Sequence, residues 1–133
     1  MVRTYQDRDK NTLDIWSQIA FQTKVSNNDI DLIYVFEEEE IKGFISFRIL
    51  YERAELNYLY VDLKYRNQNI ASTLLDTMYT VLKDKNVKTV TLEVSVQNPC
   101  AIHVYEKIGF KQIGQRKNYY NGVDALLMIK EVS

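Results

Sequence analysis

The stretch from Ala54 to Val94 constrains the fold most, because three regular patterns follow one another in it without a break. Ala54 to Val61 alternates as a β-strand does, and its alternation predicts one face carrying Leu56, Tyr58 and Tyr60 opposite Asn57, Leu59 and Val61. Asn69 to about Lys83 is an amphipathic helix with an apolar stripe of Leu74, Leu75, Met78 and Leu82. Val87 to Val94 is rich in Val and Thr, as strands are. Strand, helix and strand in this order predict locally parallel strands inside a mixed sheet.

The remaining segments add strands and helices on both sides of this unit. Strands are predicted at Val2 to Gln6, Leu32 to Phe36, Ile41 to Tyr51, Phe110 to Arg116 and Val123 to Ile129. Helices are predicted at Asp9 to about Lys24, with Leu13, Trp16, Ile19 and Ala20 at helical spacing, and at Asn98 to Ile108. Residues 26–29 form a loop cluster, and the acidic run Glu37 to Glu40 forms a hairpin tip. The order is β-α-β-β-β-α-β-α-β-β, an α/β fold.

Composition narrows the class of protein. The 133 residues contain four Gly and one Pro and no linker or repeat, which predicts a single domain over residues 1–133. With Cys100 as the only cysteine, neither an intramolecular disulfide nor a multi-cysteine metal site can form, and no metal is expected. The net charge of −1 gives no basic field for nucleic acid, and no apolar run suggests a membrane span or a secretory signal. We therefore expect a cytoplasmic protein that binds neither nucleic acid nor membrane.

The junction between the strand ending at Val61 and the next helix is a candidate anion site. Free amide N–H groups and the positive end of a helix dipole meet there, which suits a phosphate or a diphosphate. The segment resembles the cofactor loop of the Gcn5-related N-acetyltransferases, whose pattern is Arg or Gln, two residues, Gly, one residue, then Gly or Ala. Arg66 and Ala71 match, and Asn69 stands where the family has glycine. Asn also tolerates a left-handed backbone, although its side chain takes up space near the ligand.

A second segment carries the resemblance further. Residues 91–110 form a strand, then a helix that opens at Asn98 with Pro99, contains Tyr105 and ends before Gly109-Phe110. This is similar to the other signature of the same superfamily, and the likeness covers about Ile41 to the C-terminus. Within it the chain is most similar to bacterial ribosomal-protein-alanine N-acetyltransferases. The resemblance implies a central mixed sheet of about seven strands flanked by helices.

The resemblance also implies roles for individual residues. Acetyl-coenzyme A would be the co-substrate, with Glu93 as general base and Tyr105 as general acid in a direct attack of an amine on the thioester. The edge strand Leu59-Tyr60-Val61 would pair with the pantetheine arm, and Asn98 would contact the cofactor. The diphosphate would meet the amides of Arg66, Asn67, Gln68, Asn69, Ile70, Ala71 and Ser72. Tyr119 and Tyr120 either grip the acceptor or pack a turn.

Acid–base magnitudes favour one kind of acceptor. A peptide α-amine with a pKa of about 7.7–8.0 is roughly one-tenth neutral at pH 7, against about one in 2,500 for a lysine amine near 10.4. A glutamate with the ordinary pKa of about 4.3 is a poor base for either amine unless burial raises that pKa or water relays the proton. A glutamate base at position 93 therefore suits an α-amine better than a lysine. A tyrosine near 10 would protonate a thiolate near 8.5 at a cost of about 2 kcal/mol, so Tyr105 either transfers a proton or only hydrogen-bonds.

Each site residue also has a plainer interpretation. Glu93 could be a solvent-facing strand residue, Tyr105 a core residue, and Asn98 only a helix cap. His103, the one histidine, has no ligand partners in helical register and is predicted to lie on the surface. Cys100, in the first turn of its helix, is predicted to be structural rather than nucleophilic.

Three functions remain open from the sequence. The leading one is acetylation of a protein or peptide N-terminus, possibly of a ribosomal protein. The second is acetylation of a small amine such as a polyamine, amino sugar or amino acid. The third is a non-catalytic sensor or scaffold that binds acyl-coenzyme A, which Asn69 keeps open. The chain is expected to be a monomer or homodimer.

Overall fold

The structure, a computed structural model, describes residues 1–24, 30–120 and 122–132, apart from the side chains of residues 118–120. The α-helices are α1 (Lys10–Phe21), α2 (Ile70–Asp84) and α3 (Pro99–Lys107), and two short 3-10 turns lie at Asp7–Asp9 and Leu63–Tyr65. The strands are β1 (Val2–Thr4), β2 (Asp31–Glu38), β3 (Glu40–Leu50), β4 (Arg53–Val61), β5 (Thr89–Ser95), β6 (Lys111–Tyr120) and β7 (Val123–Glu131). The predicted order of elements is confirmed. The loop predicted at 26–29 lies outside the described residues.

All seven strands form one sheet in the order β1-β2-β3-β4-β5-β7-β6. Only β4 and β5 are parallel, and they pair from Arg53↔Thr89 to Glu55↔Thr91 and no further. Beyond Glu55, β4 continues to pair with β3, while β5 pairs with β7 along its whole length. The two central strands therefore splay apart in the second half of their length, and the predicted mixed sheet of about seven strands is confirmed.

A β-bulge at Asn57 changes the direction of β4. Ser46 of β3 pairs with Tyr58, but Phe47 pairs with Leu56, so Asn57 is an extra residue on β4. A bulge bends the strand and shifts the phase of its side chains. As a result Leu56 packs in the cluster beneath α2, whereas Tyr58 and Tyr60 pack in the cluster beneath α1. The expectation that these three residues share one face is wrong, because simple alternation does not allow for the inserted residue.

A partly buried network of hydrogen bonds holds the bulge in place. The Arg48 guanidinium binds both carboxylate oxygens of Asp31, at 2.8 and 3.2 Å. The side-chain amide of Asn57 donates to the same carboxylate at 3.3 Å. The Asp31 side chain is only 5 % exposed, so a residue at the start of β2 fixes the bulged residue of β4 through a desolvated carboxylate.

The apolar core lies on both faces of the sheet. On one face α2 buries Leu74, Leu75, Met78 and Leu82, chiefly against β3 and β4, as the helical stripe predicts, and α3 packs on the same cluster. On the other face α1 packs Leu13 and Trp16 on Val35 and Phe44. Ile19, expected on the buried side of α1, is 71 % exposed, and Ala20 is also exposed. Ser17 occupies the buried position instead, because the true stripe runs from Asp9 through Leu13 to Ser17 and Phe21.

The N-terminal corner, defined here as Arg3, Asp9 and Glu37, joins β1 to β2 and α1. Arg3 donates to both Asp9 carboxylate oxygens at 2.8 and 2.9 Å and to Glu37 Oε1 at 2.8 Å. The amide of Gln6 also donates to Asp9, at 2.8 Å. Asp9 is completely buried, and the Arg3 hydrogen bonds outweigh burial and hold its pKa below the ordinary value.

Glu39 alone, with φ of 68°, links β2 to β3, which confirms the acidic run as a hairpin tip. Gly43 allows β3 to approach the end of β4, because a Cβ there would lie 2.7 Å from the Tyr60 carbonyl oxygen.

Within the described ranges, no helix has the length and apolar character needed to cross a membrane.

Candidate active site

A groove of about 1780 Å³ crosses the sheet where β4 and β5 splay apart. On the α1 face it is lined by the end of α1 and by strand residues including Asn57, Tyr58 and Glu93. On the α2 face it is lined by the loop before α2 and by Asn98 and Tyr105 of α3. The same opening is therefore accessible from both faces of the sheet, so that two reactants could meet in it from opposite directions.

The start of α2 supplies amide donors on the α2 face. The first backbone hydrogen bond in this helix runs from the Thr73 amide to the Asn69 carbonyl, at 3.1 Å. The amides of Ile70, Ala71 and Ser72 come before it, in the turn where a helix has no carbonyl of its own to accept them. Ala71 and Ser72 line the groove. Anions bind at such ends because the N–H groups and the helix dipole both favour negative charge.

Asn69 has the backbone shape that glycine would give. Its φ of 62° and ψ of 18° lie in the left-handed region, as predicted for the family's glycine position, and Asn67 has a φ of 67°. The Asn69 side chain makes no capping hydrogen bond, and the residue is exposed. The loop therefore keeps its turn without glycine, and the substitution leaves the amides of α2 uncapped.

Arg66 ties this loop to the end of β4. Its Nε donates to the Val61 carbonyl at 3.0 Å, and its guanidinium lies 5.7 Å from the centre of the Tyr60 ring. Arg66 and Lys107, from α3, both line the groove on this side. The backbone of Leu59, Tyr60 and Val61 runs along the splayed edge of β4, beyond its last pair with β5. An edge of this kind offers unpaired N–H and C=O groups to an extended ligand.

Asn98 caps the start of α3, and Tyr105 lies about two turns further along the helix. The Asn98 side chain accepts from the Ala101 amide at 3.2 Å, which confirms the predicted helix cap, and the residue also lines the groove. The Tyr105 ring packs edge-on against Phe110 with centroids 5.7 Å apart. Burial raises the pKa of Tyr105 to about 12. Tyr105 thus both packs against the core and lines the groove.

Glu93 projects from β5 toward the α1 face, since Leu92 and Val94 on either side of it are buried toward α2. Arg116 Nη2 lies 3.1 Å from Glu93 Oε1. The second oxygen, Oε2, is buried and has no hydrogen-bond partner among the described residues. A buried carboxylate oxygen without a donor is unusual in native proteins and calls for an explanation.

The structure brings most of the predicted residues together. Eleven line this groove: Leu59, Tyr60, Val61, Arg66, Asn67, Asn69, Ala71, Ser72, Glu93, Asn98 and Tyr105. Gln68 is exposed outside it, and the Ile70 side chain is buried in the core, which leaves only its amide to face a ligand. The side chains of Tyr119 and Tyr120 lie outside the described part of the chain. His103 is exposed, as predicted, and Cys100 is exposed and lines the groove.

Sequence reasoning missed two features of the site. One is Arg116 as a partner of Glu93, and the other is the network of Asp31, Arg48 and Asn57 on the α1 face. Both depend on pairings between strands that are distant in the sequence, so no local pattern could reveal them. Among the described residues, no group of three or more His, Cys, Asp or Glu side chains is arranged to hold a metal ion.

Comparison with known proteins decides the family. The profile of the Acetyltransferase (GNAT) family matches residues 1–110. The chain belongs to the GNAT family. It is 32 % identical to the ribosomal protein bS18-alanine N-acetyltransferase of Haemophilus ducreyi, over 79 % of this chain and 72 % of that protein.

Solved structures of GNAT proteins agree with the fold. The ribosomal-protein-S18-alanine N-acetyltransferase of Escherichia coli superposes with a TM-score of 0.85 and 25 % identity, covering 100 % of this chain and 94 % of that one. Arabidopsis thaliana NAA60 in complex with acetyl-CoA gives a TM-score of 0.83 at 19 % identity, over 98 % of this chain and 97 % of that one. The second likeness concerns the fold alone. The chain is thus an N-acetyltransferase by family, and the predicted fold and reaction class are confirmed.

Proposed function

We propose that this protein transfers the acetyl group of acetyl-coenzyme A to the N-terminal α-amine of a protein or peptide, with residues 1–133 acting as one catalytic domain. The observation that carries the proposal is the groove through the splay of β4 and β5, which Glu93 enters from the α1 face and Tyr105 from the α2 face. The names of relatives add support, because the Haemophilus ducreyi and Escherichia coli proteins are both named as alanine N-acetyltransferases of a ribosomal protein.

The co-substrate would lie on the α2 face. The first-turn amides of α2 would hold its diphosphate, and Arg66 and Lys107 would add positive charge nearby. Asn98 would use its side-chain amide group, because its side-chain oxygen is already bonded to the cap. The pantetheine arm would pair with the free edge of β4 at Leu59 to Val61, in the way a peptide extends a sheet. An N–H of this edge would polarise the thioester carbonyl.

The acceptor would enter from the α1 face. Its neutral amine nitrogen forms a bond to the thioester carbon, the C–S bond breaks, and the coenzyme leaves as a thiolate. The amine gives up a proton, which the Glu93 carboxylate takes through Oε2, directly or through one water. An α-amine suits this base, since about a tenth of it is already neutral at pH 7.

The burial of Tyr105 favours one of its two possible roles. With a pKa of about 12, its phenol lies about 3.5 units above a thiol near 8.5, so full proton transfer would cost about 5 kcal/mol. For a tyrosine with the ordinary pKa near 10, the same proton transfer would cost only about 2 kcal/mol. We therefore assign Tyr105 to donating a hydrogen bond to the departing sulfur rather than to transferring its proton. The proton reaches the thiolate from solvent after release.

A panel of acceptors tests the proposal. Thiol release from acetyl-coenzyme A would be measured with peptides carrying a free N-terminus, the same peptides blocked at the N-terminus but containing lysine, and small amines such as spermidine. Turnover on the free N-terminus alone is expected. Preference for a small amine would mean that the acceptor is a small molecule and not a protein N-terminus. Tight binding of acetyl-coenzyme A by calorimetry, without turnover on any amine, would indicate a sensor. Mass spectrometry of cellular N-termini with and without the protein would then identify the natural acceptor.

A further inference from the structure

The structure assigns a positioning role to Arg116, a residue that no motif singles out as part of the reaction. We propose that Arg116 holds the Glu93 carboxylate by Oε1 so that Oε2 is the oxygen presented to the acceptor amine. This inference rests on the proposed function of Glu93 as the base. It assigns each oxygen of that carboxylate a separate task.

The strand order makes this contact possible. Strand β7 lies between β5 and β6, so that Glu93 faces Leu127 and Leu127 faces Gly114, while Arg116 faces Ala125 in the neighbouring row. Paired residues project from the same face of a sheet, and the two outer strands of three lie about 10 Å apart. Arg116 must therefore cross β7 diagonally to reach Glu93. Ala125, fully buried and small, lies directly opposite Arg116 on the strand that has to be crossed.

The two ends of the pair lie in different surroundings. The Arg116 side chain is 54 % exposed, whereas that of Glu93 is 21 % exposed. An exposed ion pair of this kind contributes little to the free energy of unfolding, too little to explain it as a structural device. A guanidinium nevertheless favours one orientation of the carboxylate beside it, because it is a rigid, permanently charged donor. With Oε1 held at 3.1 Å, rotation of the carboxylate is restricted and Oε2 keeps one direction.

The unpartnered oxygen supplies the second observation. Glu93 Oε2 is buried without any hydrogen bond from the described residues, although leaving such an atom unsatisfied is costly. A donor that arrives with the acceptor would satisfy it, and the acceptor amine is that donor under the proposed function. Arg116 therefore acts through Glu93, and it needs no contact with the acceptor to affect the rate.

A double-mutant cycle tests the assignment. The variants are Arg116→Met, Glu93→Gln and the two combined, with Lys117→Met as a matched control, because Lys117 is the next residue on β6 and is also exposed. We expect Arg116→Met to lower kcat by about 10–100-fold, as loss of a supporting partner of a functional group typically does, with unchanged acetyl-coenzyme A affinity. In the Glu93→Gln background the same change should lower kcat less than twofold, because there is no base left to position.

Two further measurements separate positioning from structure. Arg116→Lys, which keeps the charge but not the fork of donors, should recover part of the lost rate, and Arg116→Ala should regain activity with added guanidinium at non-denaturing concentration. If Arg116→Met leaves kcat within twofold while Glu93→Gln is impaired, Arg116 has no positioning role, and the assignment of Glu93 as the base is retained. If Glu93→Gln itself keeps full activity, the proposed function of Glu93 fails first. If Arg116→Met is equally harmful with and without Glu93, the arginine acts elsewhere.

Discussion

Asp9 and Glu93 are both paired with an arginine, and the two carboxylates differ in how many of their oxygens have a hydrogen-bond donor. In the N-terminal corner, Asp9 is fully buried and both of its oxygens accept hydrogen bonds from Arg3, with a third from the Gln6 amide. At the splay of the sheet, Glu93 is paired with Arg116 through one oxygen, and the other is buried with no donor among the residues that the structure describes. The difference follows from the free-energy cost of burying a polar atom without a hydrogen bond. A fully paired carboxylate avoids that cost and stabilises the fold, whereas an unpaired oxygen is tolerated where a ligand will satisfy it.

The largest effect should come from removing the charge at the unpaired site. Glu93→Gln keeps the shape of the side chain but loses the base, and kcat should fall by about 10³-fold, in the range usual for acid–base catalysis. The acidic limb of the pH–rate profile should disappear with it. Steady-state kinetics over pH with a free-N-terminus peptide would measure both. An unchanged acidic limb would assign the base to another group.

A smaller loss should follow from changing Tyr105 to Phe. We expect kcat to fall by about 10²-fold, the size of one lost oxyanion-type donor, while the packing of the ring against Phe110 and the coenzyme affinity are retained. Burial raises the pKa of Tyr105 to about 12, so its proton stays on through neutral and moderately alkaline pH and no basic limb below about pH 11 should depend on it.

Tyr79 offers a matched control for that substitution. Its pKa is likewise raised to about 12 by burial, and its hydroxyl is buried with no hydrogen-bond partner in the described part of the chain. Tyr79 lies on α2 and does not line the groove. Tyr79→Phe should leave kcat unchanged. Equal losses in the two variants would mean that the Tyr105 hydroxyl affects packing and not the reaction.

At the fully paired site the effect should be on stability instead of rate. Asp9→Asn removes charge-assisted hydrogen bonds worth about 2 kcal/mol in free energy of unfolding, with kcat within twofold of the parent. The native pKa of Asp9 is lowered, so its contribution is fully present above the unfolded value of about 3.9 and is lost as pH falls through the native value. Urea unfolding at pH 7 and below pH 4 should show the difference between variant and parent shrinking in acid.

The smallest effect should be that of Glu93→Gln on stability, which is compared with the effect of Asp9→Asn. Glu93→Gln should change the free energy of unfolding by less than about 0.5 kcal/mol, because its ion pair with Arg116 is largely solvent-exposed on the arginine side. The same urea experiment at pH 7 measures it. A loss as large as that of Asp9→Asn would place Glu93 among the structural carboxylates.

The features that the sequence predicted correctly are those determined by residues close together in the chain. Asn98 and Pro99 start α3 as expected, and the Asn69 backbone takes the left-handed shape that its position in the loop requires. These features depend on a few neighbouring residues, whose preferences a single sequence records. The same is true of the order of strands and helices along the chain.

What it could not predict depends on pairing between distant strands. The bulge at Asn57 divides Leu56 from Tyr58, and it is visible only in the register against β3. The insertion of β7 between β5 and β6 brings Arg116 to Glu93, although the two residues are far apart in the chain. The exposure of Ile19 has a similar cause, since the sheet beneath α1 selects which helical stripe is buried.

The central claim is that cofactor and acceptor meet across the splay, with the acceptor nitrogen at Glu93 Oε2. A crystal structure with a bisubstrate analogue, a peptide joined through its α-nitrogen to coenzyme A, tests it most directly. We predict the diphosphate on the amides of Ile70 to Ser72, the pantetheine along Leu59 to Val61, and the peptide nitrogen within hydrogen-bond distance of Oε2. A diphosphate bound elsewhere because the Asn69 side chain fills that place, or a peptide entering from the α2 face, would contradict the account.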